Sequence, residues 1–243
     1  MAVTPKLAGR PAILVFLKAP SVGQVKTRLI PALSPAQARE LYRCLVLDTV
    51  DTIGRLRGVQ PVAAYAGNAE FPDLSWLGSR GGVRGWPYVR QRGASLGERL
   101  VHACRWAFAA GASRVVVIGS DAPELSAAWL REAVESLDRC EAVIGPATDG
   151  GYHLIGFTKL HPALFHRMPW STAALLDRTL ARARQLRLRV HRLAPVSDLD
   201  TPDDLRRYLR RLGNRSGKRI AIRRTARYVS RLSRGMVMAA RMH

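Results

Sequence analysis

Four short segments of the chain concentrate the residue types that hold phosphate, a hard cation or a sugar. The first runs Lys18-Ala19-Pro20-Ser21-Val22-Gly23-Gln24-Val25-Lys26-Thr27-Arg28-Leu29. Pro20 and Gly23 bend it, so its backbone N–H groups can face a nucleotide. Lys26 and Arg28 add positive charge, and a guanidinium grips phosphate through two bonds. The spacing G-x-x-x-x-G-K-[ST] of a P-loop is absent. A plain loop with solvated basic residues has the same composition.

The second segment is Gly119-Ser120-Asp121-Ala122-Pro123-Glu124-Leu125, directly after the apolar run Arg114–Ile118. A carboxylate at the end of a buried strand is held rigidly. Mg²⁺ or Mn²⁺ bound through one or two carboxylates and phosphate oxygens suits such a place. Asp121 is the candidate ligand. The same residues also read as a helix start, with Glu124 serving the helix N-terminus. The third segment, Thr148-Asp149-Gly150-Gly151, offers Asp149 as a sugar-orienting group or base, beside glycines that allow close backbone approach. Asp-Gly is equally a hairpin signal. In the fourth, Asp198-Leu199-Asp200-Thr201-Pro202-Asp203-Asp204, the last two acids suit a helix dipole. Asp198 and Asp200 do not. In so basic a chain they suggest a second metal ligand, Asp200 first and Asp198 second. Lys26, Arg28, Asp121 and Asp149 are thus the candidate catalytic residues. Trp170 is a candidate cover for an acceptor pocket. His153, His161 and His166 show no metal-ligating spacing.

The elements that carry these segments alternate. Ala12–Leu17, Pro61–Ala66, Arg114–Ile118, Ala142–Gly145, Tyr152–Phe157 and Leu188–Leu193 read as strands. Between them, 34–53, 95–110, 126–137, 172–186 and 202–212 read as helices. Ser34-Pro35, Ser95 with Glu98, and Thr201-Pro202 are start signals. Gly67–Trp86 reads as an irregular excursion. Strand–helix alternation predicts an α/β fold with a mostly parallel sheet covered on both faces. Such sheets bind ligands beyond the carboxyl ends of their strands, where Lys18, Asp121 and Asp198 fall.

Composition narrows the setting. Of 243 residues 47% are apolar, enough for a sizeable core. Cys44, Cys104 and Cys140 are far apart, which argues against a disulfide framework or a structural zinc site and for a reducing, cytoplasmic setting. The apolar N-terminal run ends at Lys18, too short to cross a bilayer. The formal charge is +21, and residues 214–243 carry nine Lys or Arg and no acid. Without them 30 basic residues still face 18 acidic ones, a balance that attracts anions such as phosphates. Residues 1–213 therefore read as the functional domain, and 214–243 as a basic extension, helical or disordered. Its Ile220, Ile222, Tyr228, Val229 and Leu232, interleaved with arginines, also suit contact with a membrane surface or nucleic acid.

The ordered set KAPSVGQVKTRL, QRGASLGERL, GSDAPEL, GPATDGGYHLIGF, MPWST and DLDTPDDL resembles the DUF2064 transferases. These are also described as radical-SAM/selenodomain-associated transferase 1 and as arsenosugar-biosynthesis-type glycosyltransferases. The pattern, over about residues 12–212, is similar more distantly to 2-phospholactate and molybdenum-cofactor guanylyltransferases. The resemblance implies the GT-A fold, a Rossmann-like three-layer α/β/α sandwich. It implies that Lys18, Ala19, Pro20, Gly23, Lys26 and Arg28 hold nucleotide phosphates, with Gln91, Leu96 and Gly97 near the base. Asp121 and Asp200 would take Mg²⁺ or Mn²⁺. Thr148, Asp149, Gly150, Gly151 and Trp170 would line the acceptor side. The expected reaction is glycosyl transfer from a nucleotide sugar to a small acceptor. The alternative is nucleotidyl transfer from an NTP with release of pyrophosphate.

Overall fold

The computed structural model describes residues 7–30, 32–67, 75–77, 85–214 and 223–240, with 234–240 described by backbone only. The apolar run after Pro11 forms β1 (Ala12–Lys18), and Ile13, Leu14 and Val15 are buried. Next come α1 (Pro35–Gly54), β2 (Gln60–Ala66), β3 (Tyr88–Arg90), α2 (Leu96–Ala109), β4 (Val115–Ile118) and α3 (Ala127–Ser136). The chain continues through β5 (Ala142–Pro146), β6 (Tyr152–Phe157), α4 (Leu175–Gln185), β7 (Val190–Arg192), α5 (Pro202–Gly213) and α6 (Arg224–Ala240).

The sheet has the order β3-β2-β1-β4-β6-β5-β7. Only β6 runs antiparallel to its neighbours, β4 and β5. The sheet is fully buried at its centre, so its strands are apolar on both faces. One face packs on α1 and α3 through Ile13, Val15, Val116 and Leu130. The other packs on α2 and α4 through Leu14, Val117, Ala103 and Ala183. This is the expected three-layer α/β/α sandwich. A third apolar cluster joins the outer side of α1 to α5 and α6 through Leu41, Leu45, Tyr208 and Val229.

Local start signals hold where they were expected. Ser34 and Gln37 exchange side-chain bonds with each other's backbone N–H, and Pro35 opens α1. Ser95 accepts from the Glu98 N–H, but Glu98 accepts from Ala94 rather than from Ser95. Three expectations shift. The excursion 67–86 closes on the unexpected strand β3, whose Val89 pairs beside Ala64. Helix α4 begins at Leu175, after a turn at Thr172, and has no side-chain cap. Strand β7 keeps only three residues.

The described part of the C-terminal extension is helical from Arg224, and its first turns are packed, not a solvated arm. Thr225 and Val229 are fully buried against α1, and Tyr228 donates to the Gln37 carbonyl. The apolar side chains expected to meet a membrane or nucleic acid, Tyr228, Val229 and Leu232, lie in the third cluster instead. Ile220 and Ile222 lie outside the described residues. Among the described residues no helix is long and apolar enough to cross a membrane.

Candidate active site

The carboxyl ends of β1 and β4 open into a cavity of about 400 Å³. Lys18, Lys26, Gln91, Leu96, Ser120, Asp121, Tyr152, His153, Trp170, Asp198 and Asp200 all reach it. Lys26 is its centre. The bend at Gly23 (φ 74°) leads into Lys26, itself in the left-handed region at φ 52°. A lysine in that conformation carries backbone strain that the surrounding contacts must hold. Its ammonium is buried, 2.6 Å from Asp121 Oδ1 and 3.4 Å from Asp200 Oδ1. The two acids expected to share a cation therefore share this one. Arg28 flanks Asp200 at 3.4 Å and is open to solvent.

The charges hold one another. Burial by itself would lower the Lys26 pKa, but Asp121 and then Asp200 outweigh it and raise it. Burial by itself would raise the Asp121 pKa, but the ammonium of Lys26 outweighs it, with His153 and Lys18 assisting, and Asp121 stays below the usual carboxylate range. Asp121 leaves 48% of its side chain open to the cavity, so a ligand can still reach it.

Backbone contacts position these groups. The Leu199 N–H donates to the Asp121 carbonyl at 3.0 Å, tying the two acid-bearing segments together. Asp200 and Thr201 donate backbone N–H bonds to Asp204, which caps α5 as its sequence predicts. Trp129 of α3 donates to the Ala194 carbonyl and fixes the approach to Asp198. Tyr42 of α1 accepts from the Lys18 N–H and donates to the Lys18 carbonyl. Burial pushes this phenol up to about 12, so it keeps its proton and can do both.

The structure gathers some expected residues and not others. Gln91 donates its amide to the Ala64 and Leu17 carbonyls at the ends of β2 and β1, and Leu96 stands beside it on the cavity wall. Trp170 lines the cavity and stacks on Phe165. Gly97 lies behind that wall, where a Cβ would meet the Phe165 carbonyl at 2.7 Å. There it allows the close approach of α2 to Phe165. Ala19, Pro20 and Gly23 shape the loop but do not line the cavity.

Thr148, Asp149, Gly150 and Gly151 do not line it either, because they make the β5–β6 hairpin. Asp149 accepts from the Gly151 N–H at 2.9 Å. Gly150, at φ 89°, lets the turn press on the Ala173 backbone. Their neighbours Tyr152 and His153 reach the cavity in their place. His153 was missed: its Nδ1 lies 2.6 Å from Asp198 Oδ1, and its buried Nε2 has no hydrogen-bond partner among the described residues. The sequence signal lay in strand pairing, since the antiparallel register of β6 on β4 sets His153 beside Gly119. Among the described residues no cluster of three or more His, Cys, Asp or Glu is set for a metal ion.

The fold is that of the nucleotide-diphospho-sugar transferases, and the chain is a transferase. The chain is 35% identical to a Desulfovibrio desulfuricans G20 protein provisionally named a nucleotide-diphospho-sugar transferase. That likeness covers 93% of this chain and 97% of the other, with a TM-score of 0.81. Residues 49–172 match the model of the family described as uncharacterized proteins conserved in bacteria, DUF2064. The chain belongs to the DUF2064 family.

More distant structures share the fold alone. CMP:2-keto-3-deoxy-manno-octonic acid synthetase complexed with CTP is 11% identical over 84% of this chain and 99% of its own, with a TM-score of 0.51. The 4-diphosphocytidyl-2C-methyl-D-erythritol synthase of Anaerococcus prevotii is 12% identical over 83% and 99%, with a TM-score of 0.52. No curated protein matches the chain.

Proposed function

We propose that the protein transfers a glycosyl group from a nucleotide-diphospho-sugar to a small-molecule acceptor in the cytoplasm. The observation that carries this reading is the convergence of Asp121 and Asp200 on one cationic point at the carboxyl edge of the sheet. Two carboxylates that bracket an ammonium fit a hard divalent cation that takes its remaining ligands from phosphate and water. Asp121 and Asp200 would hold Mg²⁺ or Mn²⁺, which supplies neutralisation of the diphosphate leaving group when bound. Asp198, engaged by His153, is the second choice.

The rest belongs to the chain's own side chains. Lys26, Arg28 and Lys18 bind the phosphates and stabilise charge as it develops on the leaving oxygen. Gln91 and Leu96 form the wall proposed for the base. Trp170 and Tyr152 line the cavity and exclude water from the reacting centre. The cytoplasmic setting is supported by three unpaired cysteines and a nucleotide substrate.

One observation favours the alternative, nucleotidyl transfer. Lys26, held between Asp121 and Asp200 with Arg28 beside them, would there stabilise a five-coordinate phosphorus. A thermal-shift screen of nucleotides and nucleotide sugars, with and without Mg²⁺ or Mn²⁺, tests the donor class. Selective stabilisation by one nucleotide sugar is expected, about 2.7 kcal/mol at a hundredfold excess over Kd. Pyrophosphate release from an NTP and an acceptor would overturn the glycosyl reading.

A further inference from the structure

Among the described residues of the basic tail, Arg223 reaches the loop that carries Asp121. Arg223, the residue before α6, donates through Nη1 to the Pro123 carbonyl at 3.2 Å and through Nη2 to the Leu125 carbonyl. Both carbonyls belong to the loop between β4 and α3 that carries Asp121. Arg211 of α5 meets Glu124 of the same loop at 3.5 Å. A guanidinium presents a rigid fork of donors, so one Arg223 fixes two carbonyls at once.

The other end of the contact is firmly held. Asp48 of α1, only 6% exposed, accepts from the backbone N–H groups of Arg224 and Thr225 at 3.0 and 2.9 Å. Arg224 also pairs with Asp51. These bonds cap α6 and fasten it to α1, and Val229 seals the joint. On its inner side α1 holds Lys18 through Tyr42. A continuous chain of contacts therefore runs from the end of β1 through α1 and α6 to the Asp121 loop.

We propose that Arg223 is a positioning residue for Asp121 and that the C-terminal helix is a brace for the site. The brace fixes residues 123–125 so that Asp121 meets Lys26 and Asp200. This rests on the reading of Asp121 as the site carboxylate. It gives the tail a role in the enzyme itself, without a nucleic acid or membrane.

The test uses the full chain with Arg223→Ala and Arg223→Lys. Hydrogen exchange of the amides in 119–125 reads the loop directly. Mn²⁺ titration followed by electron paramagnetic resonance reads the site, and thermal unfolding reads the fold. Losing two charge-assisted bonds should speed exchange and weaken Mn²⁺ binding about tenfold or more. The unfolding midpoint should fall by only a few degrees, and the lysine variant should recover part of the loss. Unchanged loop exchange in the alanine variant overturns the proposal. Should that variant not fold, the lysine variant is judged the same way. A wild-type protein that takes up no Mn²⁺ would defeat the metal reading, while the exchange result still decides the role of Arg223.

Discussion

The ammonium of Lys26 lies 2.6 Å from Asp121 Oδ1 with its own side chain only 3% exposed, so each residue depends on the other. Asp121→Asn leaves a buried charge with Asp200 alone. Breaking a fully buried pair costs about 3–5 kcal/mol. Half of Asp121 is open, so about 1–2 kcal/mol is expected here, together with a loss of turnover of about 100-fold or more. Lys26→Met leaves Asp121 and Asp200, both partly open, without their shared cation and should likewise cost about 1–2 kcal/mol while also abolishing turnover. Urea melts and steady-state rates check both, and full activity in either variant would remove that residue from the site.

The same pair predicts where pH matters. The contribution of Asp121 is present above its ordinary value and fades only as pH falls through its depressed pKa. That of Lys26 is present below its ordinary value and fades as pH rises through its raised pKa. Between those limits the pair stays charged, so any rate change near neutrality arises from another group. The wild-type melting temperature, followed from pH 5 to 9, should show no step from this pair.

On the proposed reading, Arg28 bears on nucleotide affinity more than on stability. It is 63% exposed, and among the described residues its one ion pair is the 3.4 Å contact to Asp200. Arg28→Ala should cost less than about 0.5 kcal/mol in stability, as exposed pairs do. Nucleotide binding should weaken about tenfold or more, the worth of a charged hydrogen bond. Isothermal titration with the donor found by the thermal screen decides it, and an unchanged Kd would take Arg28 out of the phosphate-binding loop.

Much of this arrangement was legible because its signals are local. Ser34-Pro35, Thr201-Pro202 and the apolar run before Gly119 each specify an element within a few residues, and α1, α5 and β4 appear where those signals place them. The convergence of the two acids was legible because Asp121 closely follows β4 and Asp200 lies just before the helix start at Thr201-Pro202, outside the acids that suit the dipole of α5. What stayed hidden depends on register or distant partners. Val89 makes a strand only because Ala64 lies beside it. His153 joins the site only because β6 turns back on β4 and meets Asp198. The Asp149 segment carried two readings, and the hairpin prevailed because its carboxylate is used within the turn. Tail arginines masked the spacing of Thr225 and Val229, four residues apart on one buried helix face.

The cysteines should differ sharply in reactivity. Burial pushes the Cys44 and Cys104 thiols up to about 12. At pH 8 only about one in ten thousand of each would be thiolate, the reactive form. Cys140 is partly exposed. Native protein treated with iodoacetamide should therefore take one label, at Cys140, and three after denaturation. Prompt labelling of Cys104 in the native protein would contradict the packing of α2 on the sheet.

An acid-sensitive contact secures the far edge of the sheet. Glu141 accepts from both the side chain and the backbone N–H of Arg189, and these bonds lower its pKa to about 2. A depressed carboxylate adds stability above its ordinary value and loses it as pH falls. The loss should run from about pH 4.5 to about pH 2. Glu141→Gln should flatten the stability profile over that interval while leaving the site's donor affinity unchanged. Acid titration followed by circular dichroism tests this, and an unaltered slope would show that β7 is held by other contacts.

Asp48 offers the most direct trial of the third core. Its two oxygens accept from consecutive N–H groups at the start of α6, and the carboxylate is almost fully buried. Asp48→Ala removes the cap and leaves those donors without a protein partner, at a cost of about 2 kcal/mol. Asp48→Asn keeps one acceptor oxygen but replaces the other with a donor facing an N–H, so it should recover little. Were α6 an independent solvated arm, neither change would move the urea midpoint, because the capped residues would already exchange with water. A drop in that midpoint, with faster amide exchange beginning at Arg224 and spreading along α6 before α1 opens, is the result the packing requires.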